Sequence, residues 1–278
     1  MDLPIFAVTL QTIRESIRTK WFLMYTPVFF LLAINVPIVL LLTLQFLPPD
    51  YLLTYLTYLV SLSFPYLPLL PLLLGATSIV EERESGTLQY VLSNPISRSE
   101  FLTGRYLGLL ISTTAVIIIG YGAAGIVGYT TNFTEYALFA KIIVIASVLN
   151  ASMLGLSLLV SVLTKRKATA ISAVVVLWFI LAIVSDFQDL TTLVSLTAGR
   201  FLVLSLTLIN PIECARLLAT FSLGLPPDRL PGAIGTPGLV LLNLMQDLAV
   251  PALIIDLAIW VSALFLGCLV AFRRQDVR

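Results

Sequence analysis

Six stretches of this chain, at about 21–47, 54–80, 101–129, 137–163, 168–185 and 249–272, are too long and too apolar to be helices of a soluble core. About 20 largely apolar residues in helical form cross the hydrocarbon layer of a bilayer. Only helices or closed barrels satisfy their backbone groups there, and blocks of this length select helices. Composition agrees: 59% of the residues are hydrophobic and 11% charged, where a soluble domain carries about a quarter charged residues. The expected fold is all-α. A single transmembrane domain over 1–278 crosses the plasma membrane six times.

Other classes fall away on what the chain lacks. The net charge is +1 and there is no histidine, so no basic field for nucleic acid and no histidine base are expected. Two cysteines, Cys214 and Cys268, form neither a disulfide framework nor a metal spacing, and no cofactor or metal is expected. No glycine is followed by lysine, so the phosphate-cradling loop of an ATPase is missing from the sequence.

Residues 4–20 read as an amphipathic helix. Phe6, Leu10, Ile13 and Ile17 recur at helical spacing, opposite Gln11, Arg14, Glu15 and Arg18. Such a helix beside a span lies in the headgroup plane or packs on a soluble partner. The first apolar block, from Trp21, is too long for a cleaved leader and reads as a retained span. Pro65, Pro68 and Pro71 predict a bend in the second block. Gly104, Gly108, Gly120, Ala124 and Gly128 in the third predict close helix packing within the chain.

Lysine and arginine placement orients the spans. Arg14, Arg18, Lys20, Arg83, Arg98, Arg105, Lys165, Arg166, Lys167, Arg273, Arg274 and Arg278 fall on one side when both termini are cytoplasmic. Residues 186–248 then form an extracytoplasmic segment. Asn210-Pro211-Ile212-Glu213 starts a helix there, with asparagine as cap, proline first and glutamate third. The segment is either a re-entrant hairpin shielded by protein or a lid on the outer surface. Cys214 is expected outside, where an impermeant thiol reagent reaches it directly or once mild detergent loosens the chain.

The most specific stretch is the cytoplasmic loop 81–100 and its flanks, VEERESGTLQYVLSNPISRSEFLTGRYL from Val80 to Leu107. Glu81, Glu82 and Glu84 end the second block in water. Gly86 interrupts, Thr87 caps, and Leu88, Val91 and Leu92 give a short helix that Asn94-Pro95 stops. Ser97 and Glu100 form a capping box that opens the third span. So short a helix cannot bury its apolar residues alone, so it is expected to dock a cytoplasmic partner through Leu88 and Val91.

This loop closely resembles that of permeases in type-2, exporter-like ABC transporters. Glu82, Glu84, Gly86, Thr87, Leu88, Leu92, Pro95, Arg98 and Gly104 match the family pattern, while Gln89 and Arg105 stand where the family often has Glu and Lys. The resemblance implies a permease without enzymatic activity, two cytoplasmic ATPase subunits gripping the loop, a second permease copy, and alternating access at their seam. Asn210-Pro211 and Arg216-Leu217 resemble, more narrowly, the permease of the copper-processing system that matures nitrous oxide reductase, which also implies an extracytoplasmic accessory protein.

For the substrate path, intramembrane polar residues point to Asp256 and Asn150. Asp256 either lines a water-filled vestibule or pairs with Lys141. Met24, Met153, Met245 and Cys214 form no spaced ligand set. The narrower resemblance therefore implies passage of a sulfur compound, or of conformational work, rather than of bare copper ions. Two other classes compete: an ion-coupled secondary transporter, which an internal repeat would mark, and a membrane scaffold that docks a partner without transport.

Overall fold

The computed structural model describes residues 3–43, 51–92, 96–129, 136–190, 200–224, 238–239, 241–242, 245 and 248–274. They form helices α1 (Leu3–Arg18), α2 (Lys20–Thr43), α3 (Tyr51–Ser63), α4 (Leu69–Glu84), α5 (Thr87–Leu92), α6 (Arg98–Tyr129), α7 (Tyr136–Leu163), α8 (Lys167–Leu190), α9 (Arg200–Ile209), α10 (Pro211–Ser222) and α11 (Ala249–Arg274). Among the described residues the fold is all-helical, as expected. Helix α7 is the central post, contacting α4, α6, α10 and α11 along its length.

Four helices, α6, α7, α8 and α11, are each long and apolar enough to cross a bilayer, and a fifth crossing appears if α1 and α2, bent by 69°, count as one. The second apolar block is divided instead of merely bent. Its halves, α3 and α4, have 13 and 16 residues, each short of a span. Proline explains the division, because Pro65, Pro68 and Pro71 offer no backbone donor to the preceding turn.

Side chains from other helices bond carbonyls at this break. Trp178 Nε1 in α8 donates to Pro65 O at 2.7 Å, and Tyr25 Oη in α2 donates to Tyr66 O at 2.9 Å. A break in a membrane helix is tolerated only with such partners.

Helix α1 lies against α6. Its contact face is Val8, Thr12 and Ser16, all buried, while Phe6, Leu10 and Ile17 stay exposed. Three residues of the apolar stripe read from the sequence thus face away from α6. The hydroxyls of Thr9, Thr12 and Ser16 can be buried because each donates to its own helix, at 2.8, 2.7 and 2.7 Å. Gly104 and Gly108 make the approach possible: a Cβ at Gly104 would meet Val8 and one at Gly108 would meet Thr12. Gly120 seats Phe29 of α2 in the same way. The small residues of the third block therefore pack within the chain, as expected.

Helix α10 is buried from Pro211 to Thr220, against α3, α7, α8, α9 and α11. Asn210 caps it, accepting from Ile212 N at 3.1 Å while its Nδ2 donates to Leu181 O at 2.8 Å and Ser185 Oγ at 3.0 Å in α8. Glu213 and Arg216 pair at 2.8 Å inside this helix, so its two buried charges compensate one another. Asn210→Ala is expected to cost about 2 kcal/mol, one part from the lost cap and one from the lost bonds to α8. A thermal unfolding curve of the purified chain checks it.

Candidate functional site

The end of the bundle that carries α5 is built around the last turn of α4, where four consecutive charged residues each bond a neighbouring helix or its end. Glu81 pairs with Lys167 at 3.0 Å. Glu82 pairs with Arg105 of α6. Arg83 Nη1 donates to Val162 O at 3.1 Å and Thr164 O at 2.7 Å, closing the end of α7. Glu84 Oε1 accepts from Lys167 N at 2.8 Å, at the start of α8. One helical turn thus holds α6, α7 and α8 together. The sequence suggested that these glutamates merely end a span in water. Glu82 does not: its side chain is only 14% exposed.

Arg105 is the centre of the cluster. It is buried, pairs with Glu82, and its Nη1 also bonds Glu15 of α1. Its Nε, the second oxygen of Glu82 and Ser78 Oγ are buried without a partner in the structure. The residues that carry them, Arg105, Glu82 and Ser78, are among those lining a cavity of about 710 Å3 between α1, α4, α5 and α6. One guanidinium thus ties α6 to both α4 and α1.

The turn into α5 needs glycine. Gly86 has φ of +74°, the left-handed region that other residues adopt at a cost. Thr87 does not cap α5 as expected. Its hydroxyl turns back and donates to Glu82 O at 3.3 Å. Leu88 requires a second correction. It is 1% exposed, so it anchors α5 to the bundle instead of facing a partner. Among the described residues from Glu84 to Gln89, Glu84, Ser85, Gly86, Thr87 and Gln89 are exposed. Val91 and Leu92 belong to α5, and Pro95 lies outside the described residues. The capping box is present: Ser97 N donates to Glu100 Oε2 at 2.8 Å and Glu100 N donates to Ser97 Oγ at 3.2 Å. Arg98 Nη1 donates to Arg273 O at 3.3 Å, joining α6 to the end of α11.

The two residues offered by the sequence for a substrate path take no part in this cluster and have separate partners. Asn150 is fully buried in α7, and its Nδ2 donates to Thr113 at 2.9 Å and Thr114 at 3.2 Å in α6. Asp256 in α11 is half-buried. It accepts from Cys214 Sγ at 3.1 Å, where the sequence offered Lys141 or a vestibule. Lys141 donates instead to Ser222 O at 3.4 Å. Cys214 also donates to Thr207 O at 3.1 Å and is fully buried, which overturns its expected reach from solution. Cys268 is buried and both thiols are free. Among the described residues no group of three potential ligands could hold a metal.

Sequence reasoning missed Arg105 as the partner that Glu82 and Glu15 share. The available signal was an arginine one position from Gly104, on the face where α1 docks.

The chain is similar to two proteins named as probable transporter permeases. It is 26% identical over 283 residues, covering 98% of both chains, to the probable ABC transporter permease protein NosY of Stutzerimonas stutzeri. It is 28% identical over 227 residues, covering 79% of both, to the protein of that name in Pseudomonas aeruginosa. The model of the ABC-2 family transporter proteins matches residues 6–277, and with a charged helix junction at one end of an apolar bundle, the chain belongs to that family.

Proposed function

We propose that this membrane permease works as one of two copies in an ATP-driven transporter, with the loop 81–100 as the element that two cytoplasmic ATPase subunits grip. The observation that carries this reading is the last turn of α4. It joins α5 to α6, α7 and α8, and through Arg105 to α1. A push on α5 is thereby shared among five helices instead of bending one. Alternating access at the seam between the two copies is the motion this sharing would drive. Membership of the ABC-2 family favours this reading over an ion-coupled carrier and over a passive scaffold.

The topology in this reading has six crossings, with α3 and α4 together making the second as a broken span. Both termini and α5 are cytoplasmic. The segment 186–248 is extracytoplasmic, with α9 and α10 as a re-entrant hairpin. Burial of α10 from Pro211 to Thr220 among α3, α7, α8, α9 and α11 supports the hairpin over a lid. Asp256 and Asn150 line or shape the substrate path. On the resemblance at Asn210-Pro211 and Arg216-Leu217, the transporter serves the maturation of nitrous oxide reductase with an extracytoplasmic accessory protein. The likeness to two permeases named NosY supports that assignment.

The chain is expected to copurify with a P-loop ATPase and to hydrolyse no ATP alone. Gln89→Arg, at an exposed position of α5, is expected to lower ATPase retention about tenfold without changing the unfolding temperature. Leu88→Asp is expected to unfold the loop itself, because it buries a charge. Undiminished assembly of the Gln89→Arg variant would count against α5 as the gripped element.

A further inference from the structure

A groove of about 620 Å3 runs between α7, α10 and α11 at the end of the bundle opposite α5. Three helical stripes form it. Ala137, Ala140, Val144 and Val148 recur on one face of α7, Leu218 and Ser222 are one turn apart in α10, and Val250, Ile254 and Leu257 follow one face of α11. Its walls are apolar except for Lys141 and Ser222. Val144 is 62% and Ile254 52% exposed, so the groove opens sideways from the bundle. In a chain that spans a bilayer, that direction is lipid. The trough exists because Ala137 and Ala140 leave room that larger side chains on the same face would fill.

Lys141 gives the groove a charged head. It lies five residues into α7, about 8 Å along the axis, the depth from which a lysine stem reaches the headgroup layer. Its ammonium carries three donors, and the one bond it makes, 3.4 Å to Ser222 O, is at the limit of hydrogen-bond length. Among the described residues it has no ion pair. The half-buried carboxylate of Asp256 bonds Cys214 and does not border the groove. One cation over an apolar trough complements one kind of molecule: a negatively charged head on an acyl chain.

We propose that this groove is a binding site for an anionic phospholipid of the surrounding bilayer. The phosphate sits on Lys141, and one acyl chain lies along Val144, Val148, Leu218, Ile254 and Leu257. The bound lipid fills the space between α10 and the two spans that hold it, so that α10 is packed by lipid as well as by protein.

The test is lipid retention by the purified full-length chain in mild detergent, read by native mass spectrometry. Phosphatidylglycerol and phosphatidylcholine with identical acyl chains are supplied as competitors. The expected result is a preference for phosphatidylglycerol of about fivefold, the size set by one lysine facing an anionic surface. Lys141→Gln abolishes the preference, Lys141→Arg keeps it, and Ala140→Phe, which fills the trough and leaves the charge, lowers retention of both lipids. Thermal unfolding of each variant guards against simple misfolding. Equal retention of the two lipids, or a preference that survives Lys141→Gln, overturns the proposal. So does a photoreactive group placed at Ile254 that captures a polypeptide and no lipid.

Discussion

Arg105→Ala is expected to destabilise the protein by roughly 3–5 kcal/mol, because removing one partner of a buried ion pair strands the other. Glu82 would be the stranded group, with its side chain 14% exposed and its second oxygen already without a partner. Glu15 is different. Its side chain is 46% exposed, so water replaces the lost contact, and Glu15→Gln is expected to cost less than about 1 kcal/mol. Arg105→Lys keeps the charge but not the planar fork that bonds two carboxylates at once, and should fall between. Adding Glu82→Gln to Arg105→Ala is expected to restore part of the loss, since the stranded charge is gone. Thermal unfolding of the four variants measures these terms. Equal destabilisation by Arg105→Ala and Glu15→Gln would mean that Glu82 is not the partner that matters. A functional arm is distinct: if the cluster transmits force, Glu15→Gln leaves assembly intact yet loosens the link between ATP hydrolysis and transport.

Several local features were legible from the sequence because their signals are local. Asn210 before Pro211 marked a helix start, and Ser97 with Glu100 marked another. Both caps form with the hydrogen bonds their residue types dictate. Three prolines in the second block marked a weak point, although not its extent, since whether a proline helix bends or divides depends on who supplies the missing partners. Those partners, Tyr25 and Trp178, lie 41 and 113 residues away in sequence from the carbonyls they bond. The same distance hid the pairing of Glu82 with Arg105.

Orientation within α5 was illegible for another reason. Leu88, Val91 and Leu92 share one face of the six-residue helix, but so short a stripe does not say whether it meets the bundle or a partner, and only packing turned Leu88 inward. Cys214 was misjudged because burial of α10 depends on α3, α7, α8 and α11 closing round it, while its own sequence is mixed enough to lie on a surface. Asp256 followed from that error, because its partner is the buried thiol.

The other large effect concerns the seat of α1. At Gly108 an added Cβ would stand 2.7 Å from Thr9 O as well as against the Thr12 side chain. Thr12 could change rotamer only by breaking its 2.7 Å bond to Val8 O, and a backbone oxygen cannot move without moving its helix. Gly108→Leu is therefore expected to lift α1 off α6, at a cost at or above the usual 1–3 kcal/mol of overpacking. The consequence reaches the candidate site, because Glu15 rides on α1 and bonds Arg105 on the same helix as Gly108. A cysteine introduced at Val8, buried in the native chain, is expected to react with a soluble thiol reagent at least tenfold faster in the Gly108→Leu background. Gly122→Leu is the control. A Cβ there has nothing within 4 Å, so that variant changes the same helix by the same bulk without touching the seat. If both variants left Val8→Cys equally protected, α1 would not be held by the glycine seam. If both exposed it, the effect would belong to α6 as a whole. Exposure by Gly108→Leu alone ties the position of α1, and with it Glu15, to the bare backbone surface that Gly104 and Gly108 provide.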